Sequence, residues 1–264
     1  MTVQNIKIYS LQNRAFTLAE VLTTLGVIGI IAAMTLPALI GKCSEFITIN
    51  QLKYVYSDLS NAIKLSETVN GDFRDWDWTN SAKFTETYIL PYLSNNYTKC
   101  KWGRPCFGKN YDFKNLNNTN VAGYISALSP HYKYNGKTMV SYVNNIPRPE
   151  TCAKCTDIKY AEFFIDINGD RGPSILGKDV FLFTLFNYTY NTGGWVLTEL
   201  CPKGEHYGLH LGSIAGYWGG YCRPLEDMFT GNPGTCKITS TGADCGLAIE
   251  KNGWKIPAQY PIKL

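Results

Sequence analysis

Apolar side chains are concentrated in one long run near the start of the chain. Residues 16–41 read FTLAEVLTTLGVIGIIAAMTLPALIG and carry a single ionisable side chain, Glu20. A helix of this length spans about 39 Å, which exceeds the ~30 Å hydrocarbon core of a bilayer. The preceding residues include Lys7 and Arg14 and no acid, which favours a cytoplasmic location for that end. The pattern predicts a membrane-spanning segment at 16–41, with the later residues outside the cytoplasm.

Two features of this run are not explained by a plain membrane anchor. Glu20 lies near one end, where a charge costs less than the ~2.5–3.5 kcal/mol of the bilayer centre but still needs solvation or a partner. Pro37 removes a helix donor and disfavours a straight helix. A secretory signal peptide fits poorly, because its apolar core is only about 7–15 residues long. A signal anchor, with Glu20 solvated at the interface and Pro37 as a simple kink, is the alternative.

An amphipathic pattern follows the apolar run. In residues 42–70, apolar side chains recur at helical spacing at Leu52, Val55, Tyr56, Leu59, Ala62 and Ile63. This spacing predicts a helix with one buried face, and Asn70-Gly71 supplies its end. We therefore expect one continuous helix from Phe16 to about Asn70, with a bend at Pro37, whose outer half packs against the rest of the chain.

The helical pattern becomes scarce in residues 71–264. Glycine, proline, asparagine and aromatic residues interrupt the chain every few positions. Short apolar runs predict strands at 138–143, 161–167, 180–190 and 194–200, and residues 80–94 predict a short helix ended by Pro91. The predicted fold class is α+β: a long N-terminal helix packed on a small antiparallel sheet with long, disulfide-linked loops.

Composition adds information mainly about the compartment. The formal net charge of +4 is too small to support nucleic-acid binding. Nine cysteines are many for an intracellular protein without a metal or redox task, which favours an oxidising location. Cys43 lies near the outer end of the apolar run, and the other eight lie in residues 71–264.

Those eight cysteines are predicted to form disulfides. Eight cysteines allow 105 pairings. Short separations favour Cys100–Cys106, Cys152–Cys155, Cys201–Cys222 and Cys236–Cys245. Zinc is a weaker alternative, because Cys152-x-x-Cys155 has no second pair at finger spacing, and His206 and His210 lie in a glycine-rich segment that is not helical.

One polar cluster has the composition of a calcium site. Its members are Asp166, Asn168, Asp170 and Asp179. Alternating oxygen ligands on one side of a loop suit calcium, although Gly177 stands where an EF-hand needs its bidentate glutamate. A polar β-turn with Asn168-Gly169 as turn residues, joining strands 161–167 and 179–190, is the simpler interpretation.

Enzyme motifs are missing from the sequence. There is no G-x-S-x-G elbow, no P-loop and no dinucleotide-binding glycine motif. His206 and His210 have Tyr207 between them where a zinc protease needs its glutamate. Aromatic clusters at Trp76, Trp78 and Trp102 and in residues 216–221 fit a core better than a binding surface. We therefore predict that the protein is not an enzyme.

The segment RAFTLAEVLTTLGVIGIIAAMTLPALI resembles the N-terminus of type IV prepilins and type II secretion pseudopilins. The matching features are a short basic leader, a small residue, Phe, Thr-Leu, a Glu four residues after the Phe, and an apolar helix with a proline. The resemblance covers about residues 1–50, and residues 71–264 resemble no particular pilin. This sequence departs from the family pattern at Ala15, where the family usually has glycine.

The resemblance implies roles for individual residues. Residues 1–15 would be a cytoplasmic leader that a prepilin peptidase removes between Ala15 and Phe16, and the same enzyme would N-methylate Phe16. Glu20 would neutralise the N-terminal amine of a neighbouring subunit, because an ion pair in low dielectric lowers the burial penalty on both groups. Pro37 would belong to the same assembly helix.

The resemblance also implies an architecture, partners and a location. The subunit would be lollipop-shaped, with a helix at 16–70 (16–41 transmembrane, 42–70 stalk) and a cystine-rich head at 71–264. Its partners would be other pilin or pseudopilin subunits, the prepilin peptidase, the inner-membrane assembly platform and the membrane. It would begin as a single-pass precursor in the bacterial inner membrane, and end in a periplasmic or cell-surface filament. Several type II pseudopilins hold calcium in a head loop, and the large head favours a minor subunit.

The alternative function is that of a single-pass anchored binding protein or enzyme outside the cytoplasm. Such a protein would not polymerise. Its leader would stay uncut, and it would tolerate replacement of Glu20.

Overall fold

The computed structural model describes residues 16–94, 97–100, 114–121, 130–146, 158–169, 174–190, 204–212, 224–230 and 235–264. The chain divides into two compact units, residues 1–43 and residues 44–264. Each unit is described by itself below.

The first unit contains the apolar part of a helix, α1 (Leu18–Asn70). Within the described residues, α1 is the one helix that is long and apolar enough to cross a membrane. Its large apolar side chains up to Ile40 are exposed, and the helix continues past Pro37. The predicted long apolar helix is therefore confirmed, with a start two residues after Phe16. Such a helix near the N-terminus fits a membrane anchor or a signal sequence.

The helix ends where the sequence predicts. Gly71 follows Asn70 with a φ of +77°, and its N–H donates to the Glu67 carbonyl at 3.1 Å. Glycine adopts this left-handed conformation without steric cost, because it has no Cβ.

The second unit contains an antiparallel sheet in which each strand pairs with the next along the chain. Its six strands are β1 (Tyr97–Lys99), β2 (His131–Tyr134), β3 (Lys137–Ile146), β4 (Ile158–Asp166), β5 (Val180–Tyr190) and β6 (Gly204–Leu211). Three predicted strands are found as β3, β4 and β5, and β5 has the predicted bounds. The predicted strand 194–200 lies outside the described residues, and β1, β2 and β6 were not predicted.

The predicted helix at 80–94 is broken into short turns of different type. It consists of α2 (Ser81–Phe84), a π turn (Thr85–Ile89) and a 3₁₀ turn (Leu90–Tyr92). The helical run ends at Tyr92, one residue after the predicted end at Pro91, and Pro91 itself lies within the 3₁₀ turn. A proline is tolerated there because the first turn does not use its missing N–H. A further short helix, α3 (Cys245–Lys251), was not predicted.

The core lies between α1 and one face of the sheet. The buried apolar residues of α1 are Leu52, Val55, Leu59, Ala62 and Ile63, and the predicted Tyr56 is partly buried. Alternate residues of the central strands join the same cluster, including Ala161, Phe163 and Ile165 of β4 and Phe181, Phe183 and Leu185 of β5. Burying each such side chain contributes about 1.5–3 kcal/mol. The described residues thus have an α+β fold.

The tryptophans near the end of α1 belong to this core. Trp76 and Trp78 are buried and contact the ring of Phe84. The interpretation of these two residues as core is confirmed. Trp102 and residues 216–221 lie outside the described residues.

Candidate functional site

The start of α1 holds the residues that the prepilin resemblance singles out. Thr17 precedes the helix, and Glu20 lies in its first turn. The Glu20 Oε2 atom accepts hydrogen bonds from the Thr17 backbone N–H and the Thr17 hydroxyl, each at 2.8 Å. In return, Thr17 Oγ1 accepts from the Glu20 N–H at 3.2 Å. This reciprocal pair is a capping box, which satisfies an N–H group that the first turn cannot bond internally.

The capping box gives Glu20 a partner within its own chain. Sequence reasoning missed Thr17, although Thr-x-x-Glu before an apolar run is the signature of this motif. A carboxylate at this end of a helix also interacts favourably with the helix dipole. Glu20 and Phe16 are both exposed, so a cationic group from another molecule has access to the carboxylate. Ala15 lies outside the described residues.

The predicted calcium ligand Asp166 ends β4 and is fully buried. Its Oδ1 atom accepts from the backbone N–H groups of Asn168 and Gly169, each at 3.1 Å. Its Oδ2 atom accepts from the Ser174 hydroxyl at 2.7 Å. Gly169 has a φ of +68°, as a turn residue does. These contacts match the simpler interpretation, a polar turn between β4 and β5.

Asn168 and Asp179 are brought together from the two ends of the connection between β4 and β5. The Asn168 amide donates to Asp179 Oδ1 at 3.0 Å, while Asp179 Oδ2 is buried and has no hydrogen-bond partner. Burial raises the pKa of Asp179 to about 6. Burial, with a smaller effect from the charge of Asp179, raises the pKa of Asp166 to about 7. The turn therefore holds two carboxyl groups that bind protons more tightly than free aspartates do.

The fit of this turn to calcium is partial. The unpartnered oxygen of Asp179 suits a cation, while Asp166 already has three donors. The fourth predicted ligand, Asp170, lies outside the described residues. Within the part of the chain that the structure describes, no group of three or more His, Cys, Asp or Glu side chains is gathered. Calcium binding stays a prediction.

One predicted disulfide is present. Cys236 and Cys245 are bonded with an S–S distance of 2.05 Å, and Cys43 is free and exposed. Cys100 is disulfide-bonded, but its partner lies outside the described residues, so its pairing with Cys106 stays a prediction. The other predicted half-cystines outside the described residues are Cys152, Cys155, Cys201 and Cys222.

The two histidines considered for zinc lie on a strand. His206 and His210 both belong to β6. Residues four apart are separated by about 13 Å along a strand, but lie side by side on a helix. The strand therefore does not bring them together as a helix would. His210 stacks on Phe186 with ring centroids 5.3 Å apart, and burial lowers its pKa to about 4.

Comparison with known proteins concerns mainly the second unit. No curated protein and no solved structure matches the chain. Residues 38–264 match a protein family whose function is unknown, DUF6613. The match starts just after Pro37, so the prepilin-like motif with Thr17 and Glu20 lies outside it. Because the match covers well over half of the sequence, the chain belongs to the DUF6613 family of unknown function.

Proposed function

We propose that the chain is a structural subunit, of the minor class, of a type IV pilus or a type II secretion pseudopilus. It is made as a single-pass precursor in the bacterial inner membrane, with residues 71–264 outside the cytoplasm. A prepilin peptidase cuts between Ala15 and Phe16, and the mature chain polymerises through its N-terminal helix. The observation that carries the proposal is α1, an unbroken helix whose exposed apolar part has one charge, in its first turn.

The apolar part of α1 suits both environments that a filament subunit occupies. In the precursor its exposed side chains face lipid, and in a filament they pack against other subunits. Glu20 is costly in either place unless it has a counter-charge. The amine that cleavage creates at Phe16 of a neighbouring subunit supplies that charge, while Thr17 orients the carboxylate.

A second candidate function is that of an anchored binding protein or enzyme that never polymerises. The apolar part of α1 supports it, because an apolar helix of this length near the N-terminus also fits a plain membrane anchor. This candidate needs neither cleavage after Ala15 nor a charge at Glu20.

The state of the N-terminus separates the two candidates. The experiment is intact-mass measurement and N-terminal sequencing of the full chain, extracted from the membranes of its native host. The proposal expects a chain that begins at N-methylated Phe16. An Ala15→Leu variant is the control, since a bulky residue at the cut site should leave the leader in place. A native chain that begins at Met1 would refute processing and favour the anchored protein.

A further inference from the structure

A small group of polar side chains, here called the polar pocket, lies in the second unit between α1 and the hairpin of β2 and β3. Helix α1 supplies Tyr54 and Asp58, which lie one turn apart. The hairpin supplies Tyr134 and Lys137, which face each other across the two strands. None of these residues takes part in the proposed assembly of the N-terminal helix.

One side of the pocket is fully hydrogen-bonded. The Asn135 amide donates to the Tyr54 hydroxyl at 2.9 Å, and that hydroxyl lies 3.0 Å from Ser94 Oγ. Ser94 Oγ donates to Asp58 Oδ1 at 2.5 Å. This chain of contacts fixes the Asp58 carboxylate against the turn of the hairpin.

The other side of the pocket is unsatisfied. Asp58 Oδ2 and the Tyr134 hydroxyl are both buried and have no hydrogen-bond partner. Asp58 is 7% exposed and Tyr134 is 1% exposed, so bulk solvent does not reach them. Burial, with a smaller effect from the charge of Asp58, raises the pKa of Tyr134, so the two groups lie within electrostatic range of each other. Buried polar atoms of this kind are normally satisfied by the protein or by ordered water.

Lys137 determines what can occupy the pocket. Its ammonium nitrogen lies 5.1 Å from the centroid of the Tyr54 ring, and its side chain is largely buried. No ion pair among the described residues joins Lys137 to Asp58. Asp58 nevertheless acts electrostatically on Lys137, so a positive charge is already present near the carboxylate, which disfavours a metal cation. A small neutral molecule that both donates and accepts hydrogen bonds fits the remaining atoms.

We propose that this pocket is an internal hydration site. Ordered water donates to Asp58 Oδ2, hydrogen-bonds the Tyr134 hydroxyl and connects the carboxylate to the Lys137 ammonium. The result is a water-mediated ion pair that fastens the hairpin of β2 and β3 to α1.

A tyrosine-to-phenylalanine substitution tests the site. If the Tyr134 hydroxyl holds water, Tyr134→Phe removes one of its partners and lowers the thermal unfolding midpoint of the full chain in detergent by about 2–5 °C. The matched control is Tyr132→Phe on the same strand, whose hydroxyl donates to Glu86 at 2.9 Å. In an Asp58→Asn background, the effect of Tyr134→Phe should fall by at least half, while that of Tyr132→Phe should not change.

An unchanged or higher midpoint in Tyr134→Phe would contradict the proposal. If the hydroxyl has no partner at all, its removal relieves a buried unsatisfied group, and Tyr134→Phe leaves the midpoint unchanged or raises it. A high-resolution structure of the full chain is the second measurement. We expect water density within hydrogen-bond distance of both Asp58 Oδ2 and the Tyr134 hydroxyl. A direct contact between Lys137 and Asp58 Oδ2 without water, or a metal ion in the pocket, would overturn the proposal.

Discussion

At the scale of single residues, Glu20 has two separable tasks. It caps its own helix through Thr17, and in the proposed filament it neutralises a neighbouring amine. Glutamine also serves in capping boxes but carries no charge. We therefore expect Glu20→Gln and Glu20→Ala to insert into the membrane normally and to reduce filament incorporation at least about tenfold, the effect of losing ~1.4 kcal/mol. Immunoblotting of sheared filaments against membrane fractions measures this.

The control for Glu20 is Glu45→Gln, which removes another acid of α1 beyond the apolar run. Its incorporation should be normal. Incorporation of the Gln variant but not of the Ala variant would assign Glu20 to capping alone. Normal incorporation of both would remove the ion pair from the mechanism.

Asp166 and Asp179 make the stability of the second unit dependent on pH. Burial raises the pKa of both carboxyl groups above the usual value of 3.8, to about 7 and about 6. Between about pH 4 and pH 7 the folded chain therefore binds more protons than the unfolded chain does. By linkage, this contribution is fully present below about pH 4 and is lost as the pH rises through the folded pKa values. We expect it to lower the unfolding midpoint by roughly 5–10 °C over that range.

The variant Asp166→Asn isolates this effect from other titrating groups. His210 acts with the opposite sign, because its pKa is lowered by burial, and buried Glu250 acts with the same sign as Asp166. The unfolding midpoint of the parent, relative to that of the variant, should therefore fall from pH 4 to pH 7. A difference that does not vary with pH would show that Asp166 titrates normally.

The same connection between β4 and β5 contains the predicted calcium ligands. Calcium binds ionised carboxylates, so added calcium should raise the midpoint at pH 7 by several degrees and have little effect at pH 4. The rise should be absent in Asp179→Asn, which loses the unpartnered oxygen. No response to calcium in the parent chain would leave the segment as a polar turn.

Single residues were the hardest to predict from sequence. The composition of residues 166–179 favours a polar turn but also fits a cation site. The unpartnered oxygen of Asp179 and the donors around Asp166 depend on how the turn packs. Thr17 was predictable in principle, because its motif is local. Asp58 and Tyr134 were not, since they are 76 positions apart in the chain and meet only in the folded core.

At the scale of elements, the turn after β4 depends on a close approach between two backbones. A Cβ built on Gly169 would lie 2.2 Å from the Gly136 carbonyl oxygen, in the turn between β2 and β3. Gly71 has a similar φ, but a Cβ there would meet nothing within 4 Å. We expect Gly71→Ala to cost about 1–2 kcal/mol, from the left-handed backbone alone. Gly169→Ala should cost about 3 kcal/mol or more, because backbone must also move.

Chemical unfolding of the two variants measures this difference. Their common backbone conformation makes Gly71→Ala the matched control for strain. Equal losses of stability would show that the turn after β4 and the turn between β2 and β3 are not in close contact.

Elements were predictable where their pattern is strong and local. The bounds of α1 and β5 follow from long apolar or amphipathic runs. β1 has only three residues and β2 has four, too few for a pattern to emerge. β6 reads GEHYGLHL, with two glycines and two histidines, and its pairing with β5 makes it a strand despite weak propensity.

At the scale of the whole molecule, the cysteines test both the compartment and the fold. The chain has nine cysteines; among the described ones, Cys43 is free, Cys236 and Cys245 are bonded to each other, and Cys100 is bonded. If all eight cysteines of residues 71–264 are paired, the unfolded, unreduced chain has one reactive thiol. Cys43→Ser should abolish that thiol, and mass spectrometry after alkylation counts it. Eight or more thiols before reduction would refute the disulfide framework and the oxidising compartment.

Loss of the Cys236–Cys245 bond should also weaken the second unit. The bond closes a short loop, with a sequence separation of 9, which corresponds to about 2–3 kcal/mol of chain entropy. Both cysteines are buried, and Cys245 lies beside Gly177, in the turn that holds Asp179. A Cys236→Ala/Cys245→Ala variant should therefore unfold roughly 5–10 °C lower than the parent in a thermal melt, with Cys43→Ser as the unaffected control. A midpoint equal to that of the parent would mean that packing around Gly177 alone holds this region, and that the disulfide adds no stability there.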